Sequence, residues 1–138
     1  MASMHRVVFV CLHGSAKSVI AAEQCQRLAR ERGLLVQATA AGHEPDAEIP
    51  PPVIRGLLAE GIDVRGRRPR RVSGDDLAAA SRVVTLGCDL TGVAAAGVPI
   101  ERWDDVPAVS EDFGAARDAI VAHLRRLLSE MEGGPGSA

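Results

Sequence analysis

Apolar residues are spaced along this chain with two different periods, and the change from one to the other marks out the elements. His5 to Val10 (HRVVFV) is a β-branched, apolar run ending at Cys11, the pattern of a strand buried on both faces. Gly14 and Ser15 interrupt it. From Ser18 the spacing becomes helical, with Ala21, Ala22, Cys25, Leu28 and Ala29 on one face and an Arg32-Gly33 stop. Leu34 to Ala40 predicts a second strand, Gly42 to Pro52 a loop, and Pro52 to Glu60 a helix closed by Gly61. Ile62 to Val64 predicts a short extended piece. Ser73 is placed to cap a helix with Asp75 and Asp76 in its first turn, where carboxylates suit the helix dipole. Arg82 to Leu86 predicts a third strand, Pro99 to Trp103 a weaker fourth, and Glu111 to Met131 a long helix. The apolar residues Phe113, Ala116, Ile120, Leu124, Leu127 and Met131 of that helix keep the spacings of one buried stripe. Strands alternating with helices imply an α/β fold, a three-layer sandwich around a parallel sheet of about four strands. We expect a single domain over residues 1–131 and a disordered tail over 132–138.

Composition narrows the function. At 138 residues and 46% hydrophobic, the chain can bury one ordinary core. No apolar run approaches the roughly 20 residues of a membrane span, and no signal-peptide pattern opens the chain, so a cytoplasmic protein without a membrane partner is expected. Three cysteines without a CxxC pair imply reduced thiols rather than a disulfide framework. A net charge of −2 and the absence of tyrosine argue against a nucleic-acid partner. The five arginines between Arg65 and Arg71 read as a solvated loop. Cys25 reads as buried packing, His43 and His123 as surface residues, and no His, Cys and carboxylate cluster suggests a metal or bound cofactor.

The chemistry concentrates at Cys11 to Ser18. In an open parallel sheet, ligands bind beyond the carboxyl ends of strands, where a loop enters a helix. Backbone N–H groups of Leu12, His13, Gly14, Ser15, Ala16 and Lys17, with those opening the helix, form a cradle for a tetrahedral anion. The same field favours a thiolate at Cys11, and Ser18 is placed to donate a hydrogen bond to it. Lys17 is the only lysine; every other of the sixteen basic residues is arginine.

The stretch VFVCLHGSAKS resembles the phosphate-binding loop of the low-molecular-weight protein tyrosine phosphatase superfamily, whose pattern is Cys, five residues, Arg, then Ser or Thr. GIDVRGRRPRRVSGDDLAAASRVVTLGCD, with Gly87-Cys88, together with ERWDDVPA and FGAARDAIVAHLRRLL, resembles the thiol-dependent arsenate reductases of that superfamily. The resemblance runs from about residue 5 to residue 131. It implies Cys11 as nucleophile toward arsenate or a phosphorus centre, an aspartate after Trp103 as general acid, and Cys88 as resolving thiol. Asp105, in Asp105-Val106-Pro107, is our choice of acid; family members usually place Asp directly before Pro, and because Val106 intervenes here Asp104 stays open as the alternative. The further cysteine that many reductases carry after Cys88 is missing, which leaves a single resolving thiol or an external reductant, either thioredoxin-like or a low-molecular-weight thiol. Partners implied are a small oxyanion or a phosphoester.

Lys17 stands where the superfamily has its arginine. It supplies the charge without the planar fork that binds two oxyanion oxygens in parallel. Three readings of that exchange stay open: a weaker clamp in a working arsenate reductase, a site redirected to another electrophile, or an oxyanion binder without turnover. A phosphatase acting through phosphocysteine is the alternative enzyme. His13 is a candidate second donor in the loop.

Overall fold

A computed structural model describes residues 4–90, 92–94 and 97–132. Four strands, β1 (His5–Cys11), β2 (Val36–Gly42), β3 (Arg82–Thr85) and β4 (Ile100–Arg102), form one parallel sheet in the order β2-β1-β3-β4. Four helices are α1 (Lys17–Glu31), α2 (Pro51–Leu58), α3 (Gly74–Ala79) and α4 (Phe113–Glu132). Side chains alternate across β1, so Val7, Phe9 and Cys11 enter the core under α1, α2 and α4, while Val8 and Val10 face Leu77 of α3. The three-layer expectation holds. Phe9 and Trp103 lie 5.7 Å apart and tilted in the larger core.

The boundaries move for local reasons. β2 runs to Gly42 because Ala41 and Gly42 still pair with Val10 and Cys11 and because Gly42 donates to the Arg70 carbonyl. α2 starts at Pro51, a first-turn position that needs no N–H. Ile62 to Val64 forms no strand: Ile62 donates back to Leu57 at the end of α2, and Val64 is buried as a plug in the larger core. α4 begins at Phe113, after a turn over residues 108–112 in which Asp112 accepts from the Ala115 amide. Its stripe is buried except at Phe113, which lies partly exposed against Gly56 of α2, too close for any side chain there. Glu132 still belongs to α4; the rest of the expected tail, 133–138, lies outside the described residues. Ser73 caps α3 through a reciprocal bond with Asp76. The basic loop is tied down rather than free: Arg65 pairs with Asp63, Arg67 with Glu23, Arg70 with Asp76, and Arg71 donates to the His43 carbonyl.

Candidate active site

The sheet order puts β2 on one side of β1 and β3 on the other, so the chain's topological switch falls at the carboxyl end of β1, where a crevice for ligands opens. Cys11 ends that strand. The carbonyls of Cys11, Leu12 and His13 accept hydrogen bonds from the amides of His43, Glu44 and Asp46, at 3.2, 2.7 and 3.0 Å. In a trans peptide the next N–H points the opposite way, so the amides of Leu12, His13 and Gly14 turn away from the 43–46 segment. Among the described residues, no amide from Leu12 to Ala16 donates to a protein acceptor. A run of uncommitted N–H groups beside a helix start is the cradle expected for an anion. Two glycines make the loop's path possible. Gly14 has φ +62°, and a Cβ there would lie 2.6 Å from the amide nitrogen of Gly42, whose own Cβ would lie 2.6 Å from that of Gly14.

Helix α1 starts without help. Its N-cap is Ala16, with no side-chain capping bond, and its first turn has no acidic residue. Lys17 is instead the first helical residue, a cation at the positive end of the dipole. Among the described residues Lys17 has no carboxylate partner, and Nζ lies 4.0 Å from where a side chain on Gly87 would begin, in the turn after β3. Like charges placed together in this way are relieved by a bound anion.

Cys11 is buried, and its Sγ lies 3.0 Å from the Oγ of fully buried Ser18. When the sulfur is ionised, the hydroxyl can turn its hydrogen toward it. The other two thiols are differently placed. Burial pushes Cys25 up to about 12 in the larger core. Cys88 is pushed up to about 11, first by burial and then by the charge of Cys11, and its thiol donates to the Val10 carbonyl among residues of the α3 face.

The cleft beside Cys11 has a volume of about 370 Å³. It is lined by Leu12, His13, Ser15, Ala16 and Lys17, by Asp46, Pro50, Pro52 and Val53, and on the far side by Leu86, Gly87, Ala108, Val109 and Ser110. Thus Cys11, Lys17 and most of the loop residues singled out from sequence converge on one crevice, with Ser18 behind the sulfur. Cys88, Asp104 and Asp105 are not among its lining residues. Asp105 lies 2.7 Å from His123 Nε2 on α4, and that hydrogen bond, ahead of the imidazole's charge, holds its carboxyl below the usual range. His123 in turn stacks on Trp103 at 4.6 Å, so it is an anchored residue rather than a free surface one. Asp104 pairs with Arg102 at 3.0 Å.

The carboxylate that does line the cleft, Asp46, was not singled out from sequence. It accepts from Ser15 Oγ at 2.8 Å, and its other oxygen lies 3.5 Å from His13 Nδ1. As its Nδ1–H tautomer, His13 donates to the Glu44 carbonyl at 3.2 Å. No group of three or more His, Cys, Asp or Glu able to hold a metal occurs among the described residues, and none of the described helices is long and apolar enough to cross a membrane.

This thiol-centred crevice on a parallel sheet has known relatives. Residues 6–98 match the family model of the low molecular weight phosphotyrosine protein phosphatases, and the chain belongs to that family of enzymes. A Halobacterium salinarum protein named "Putative arsenate reductase" is 29% identical over 128 residues, covering 89% of this chain and 90% of that one. Among solved structures, YfkJ from Bacillus subtilis superposes with a TM-score of 0.83 at 24% identity, over 96% of this chain and 97% of that one. The thioredoxin-dependent arsenate reductase of Corynebacterium glutamicum gives 0.75 at 24% identity, over 94% of this chain and 62% of that one. These two likenesses establish the shared fold.

Proposed function

We propose that the protein is a thiolate enzyme acting on a small inorganic oxyanion, with arsenate as substrate and an external thiol as reductant. The observation that carries this reading is the convergence of Cys11, Leu12, His13, Ser15, Ala16 and Lys17 on one cleft, with the Ser18 hydroxyl 3.0 Å from the sulfur and the amides of the loop uncommitted among the described residues. In the proposed cycle the Cys11 thiolate attacks arsenic, an S–As bond forms, and one As–O bond breaks with its oxygen leaving as water. The thiol's sulfur then bonds to the Cys11 sulfur, the electron pair of the S–As bond leaves with arsenic, and arsenite departs. A second thiol reduces the mixed disulfide and restores Cys11. Two thiols become one disulfide, and arsenic gains two electrons.

Lys17 serves in this reading as a single-point clamp. Two observations favour an inorganic oxyanion over an aryl phosphoester. Asp105, the acid implied by resemblance, is held ionised by His123 and must leave that bond before it can protonate an ester oxygen. Protonated arsenate already carries one hydrogen on the departing oxygen and needs only one more from water in the open cleft. Among the described residues the cleft lining also includes no Phe, Tyr or Trp to stack on an aryl ring. An external thiol is favoured over Cys88 as the resolving group because the Cys88 thiol is buried, held protonated and directed at Val10.

The test is arsenite formation from arsenate with a small dithiol. Wild type and Cys88→Ser are expected to turn over and Cys11→Ser is not. Thiol-independent hydrolysis of an aryl phosphate without arsenite formation would replace this reading with the phosphatase one.

A further inference from the structure

The cleft is larger than the oxyanion needs. Four oxygens, each about the size of a water at ~30 Å³, fill about a third of its 370 Å³. The remaining wall is largely apolar, formed by Pro50, Val53, Leu86 and Val109, with Asp46, His13 and Ser110 as polar members. A carboxylate is an unexpected neighbour for an anion site, since it repels the substrate that Lys17 attracts. It is also held in place: the Asp46 amide donates to the His13 carbonyl, and Ser15 Oγ donates to its carboxylate. Its other oxygen lies 3.5 Å from His13 Nδ1, and the side chain is still 44% exposed and lines the cleft, which leaves room for a cationic partner beside the imidazole.

We propose that Asp46 forms a cation subsite for the reductant, so that the preferred external thiol is a small molecule carrying an ammonium group on a short aliphatic chain. The inference rests on the reading that an external thiol enters this cleft. The two fixed charges then divide the labour. Lys17 and the loop amides hold the oxyanion, and Asp46 draws the cationic end of the thiol so that its sulfur lies near Cys11. A half-exposed ion pair of this kind is worth a preference of about fivefold at low salt.

The experiment converts Cys11 to its mixed disulfide with neutral dithiodipyridine and follows pyridinethione release by cysteamine, 2-mercaptoethanol and mercaptoacetate. Each rate is divided by that of Asp46→Asn, which cancels the thiols' intrinsic reactivities. Asparagine keeps an acceptor for Ser15 and removes only the charge. The expected ratios are about five for cysteamine, about one for mercaptoethanol and below one for mercaptoacetate, converging in high salt. Ser15→Ala, which removes the tie and leaves the charge, is expected to keep the preference for cysteamine. Equal ratios for all three thiols would overturn the subsite and leave Asp46 as a loop staple. The outcome is separable from the reductase reading: charge preference without arsenite formation keeps the subsite and rejects arsenate as substrate, while arsenite formation without charge preference does the reverse.

Discussion

Replacing Ser18 by alanine isolates what the loop does for the Cys11 sulfur. The two atoms are 3.0 Å apart and the Ser18 side is fully buried, so no solvent molecule takes the hydroxyl's place without rearrangement. A hydrogen bond to a charged group contributes about 1.5–3 kcal/mol, which corresponds to roughly a tenfold to hundredfold loss of thiolate at a pH where the thiol predominates. A more basic thiolate is intrinsically more nucleophilic, with a Brønsted coefficient of about 0.4–0.5, and this offsets nearly half of the loss on a logarithmic scale. The net expectation is a fall of about four- to fifteenfold in the exchange rate of Cys11 with dithiodipyridine below neutral pH, and a much smaller difference in alkali. Mass spectrometry assigns the reacting thiol, and Cys25 and Cys88, held protonated by burial, are expected to lag behind Cys11. An unchanged rate in Ser18→Ala across the acid limb, with the fold intact by circular dichroism, would refute the claim that this hydroxyl supports a thiolate.

Other expectations follow from the same geometry. Gly42→Ala would press a methyl group to 2.6 Å from the Gly14 amide nitrogen, so thermal unfolding is expected to show a loss of about 1–3 kcal/mol together with weaker phosphate binding by calorimetry. Lys17→Arg restores two parallel donors and is expected to tighten phosphate binding, whereas Lys17→Met weakens it at least tenfold by the same measurement. Burial alone would raise the Glu60 carboxyl, but hydrogen bonds from Arg117 and Gln24 and the charges of Arg117 and Arg27 together hold it below the usual range. A depressed folded value means that its contribution is full above the unfolded pKa of about 4.3 and disappears as pH falls through the folded one. Glu60→Gln is therefore expected to cost about 1–2 kcal/mol in urea unfolding at pH 7, a cost that shrinks progressively as pH falls below the unfolded value.

The core of the fold was legible because its signals are local. The change from a β-branched run to helical spacing across Gly14 and Ser15 located β1, the loop and α1, and Ser73 followed by Asp75 and Asp76 announced α3. Ile62 to Val64 misled because two apolar residues flanking Asp63 just past a helix read alike whether they extend or plug a core. The site divides along the same line. Cys11, Lys17 and Ser18 lie within one turn of chain and could be assembled on paper. Asp46 could not, since it reaches Ser15 across 31 residues through backbone bonds to the 43–46 segment. The Asp105–His123 contact spans 18 residues and depends on where α4 crosses Trp103, which no spacing reveals. Cys88 follows Gly87 at φ +81°, and that turn sends its side chain to the α3 face, away from the cleft that resemblance alone would have it serve.

The proposed chemistry requires that Cys11 is a nucleophile facing an oxyanion cradle. The direct measurement is iodoacetamide alkylation of Cys11 near pH 6.5, followed by mass spectrometry, with increasing arsenate or phosphate. Ready alkylation is expected in the absence of anion, with saturable protection by either anion and loss of that protection in Lys17→Met. Slow alkylation that neither anion alters would contradict that requirement and would leave the loop as a structural turn.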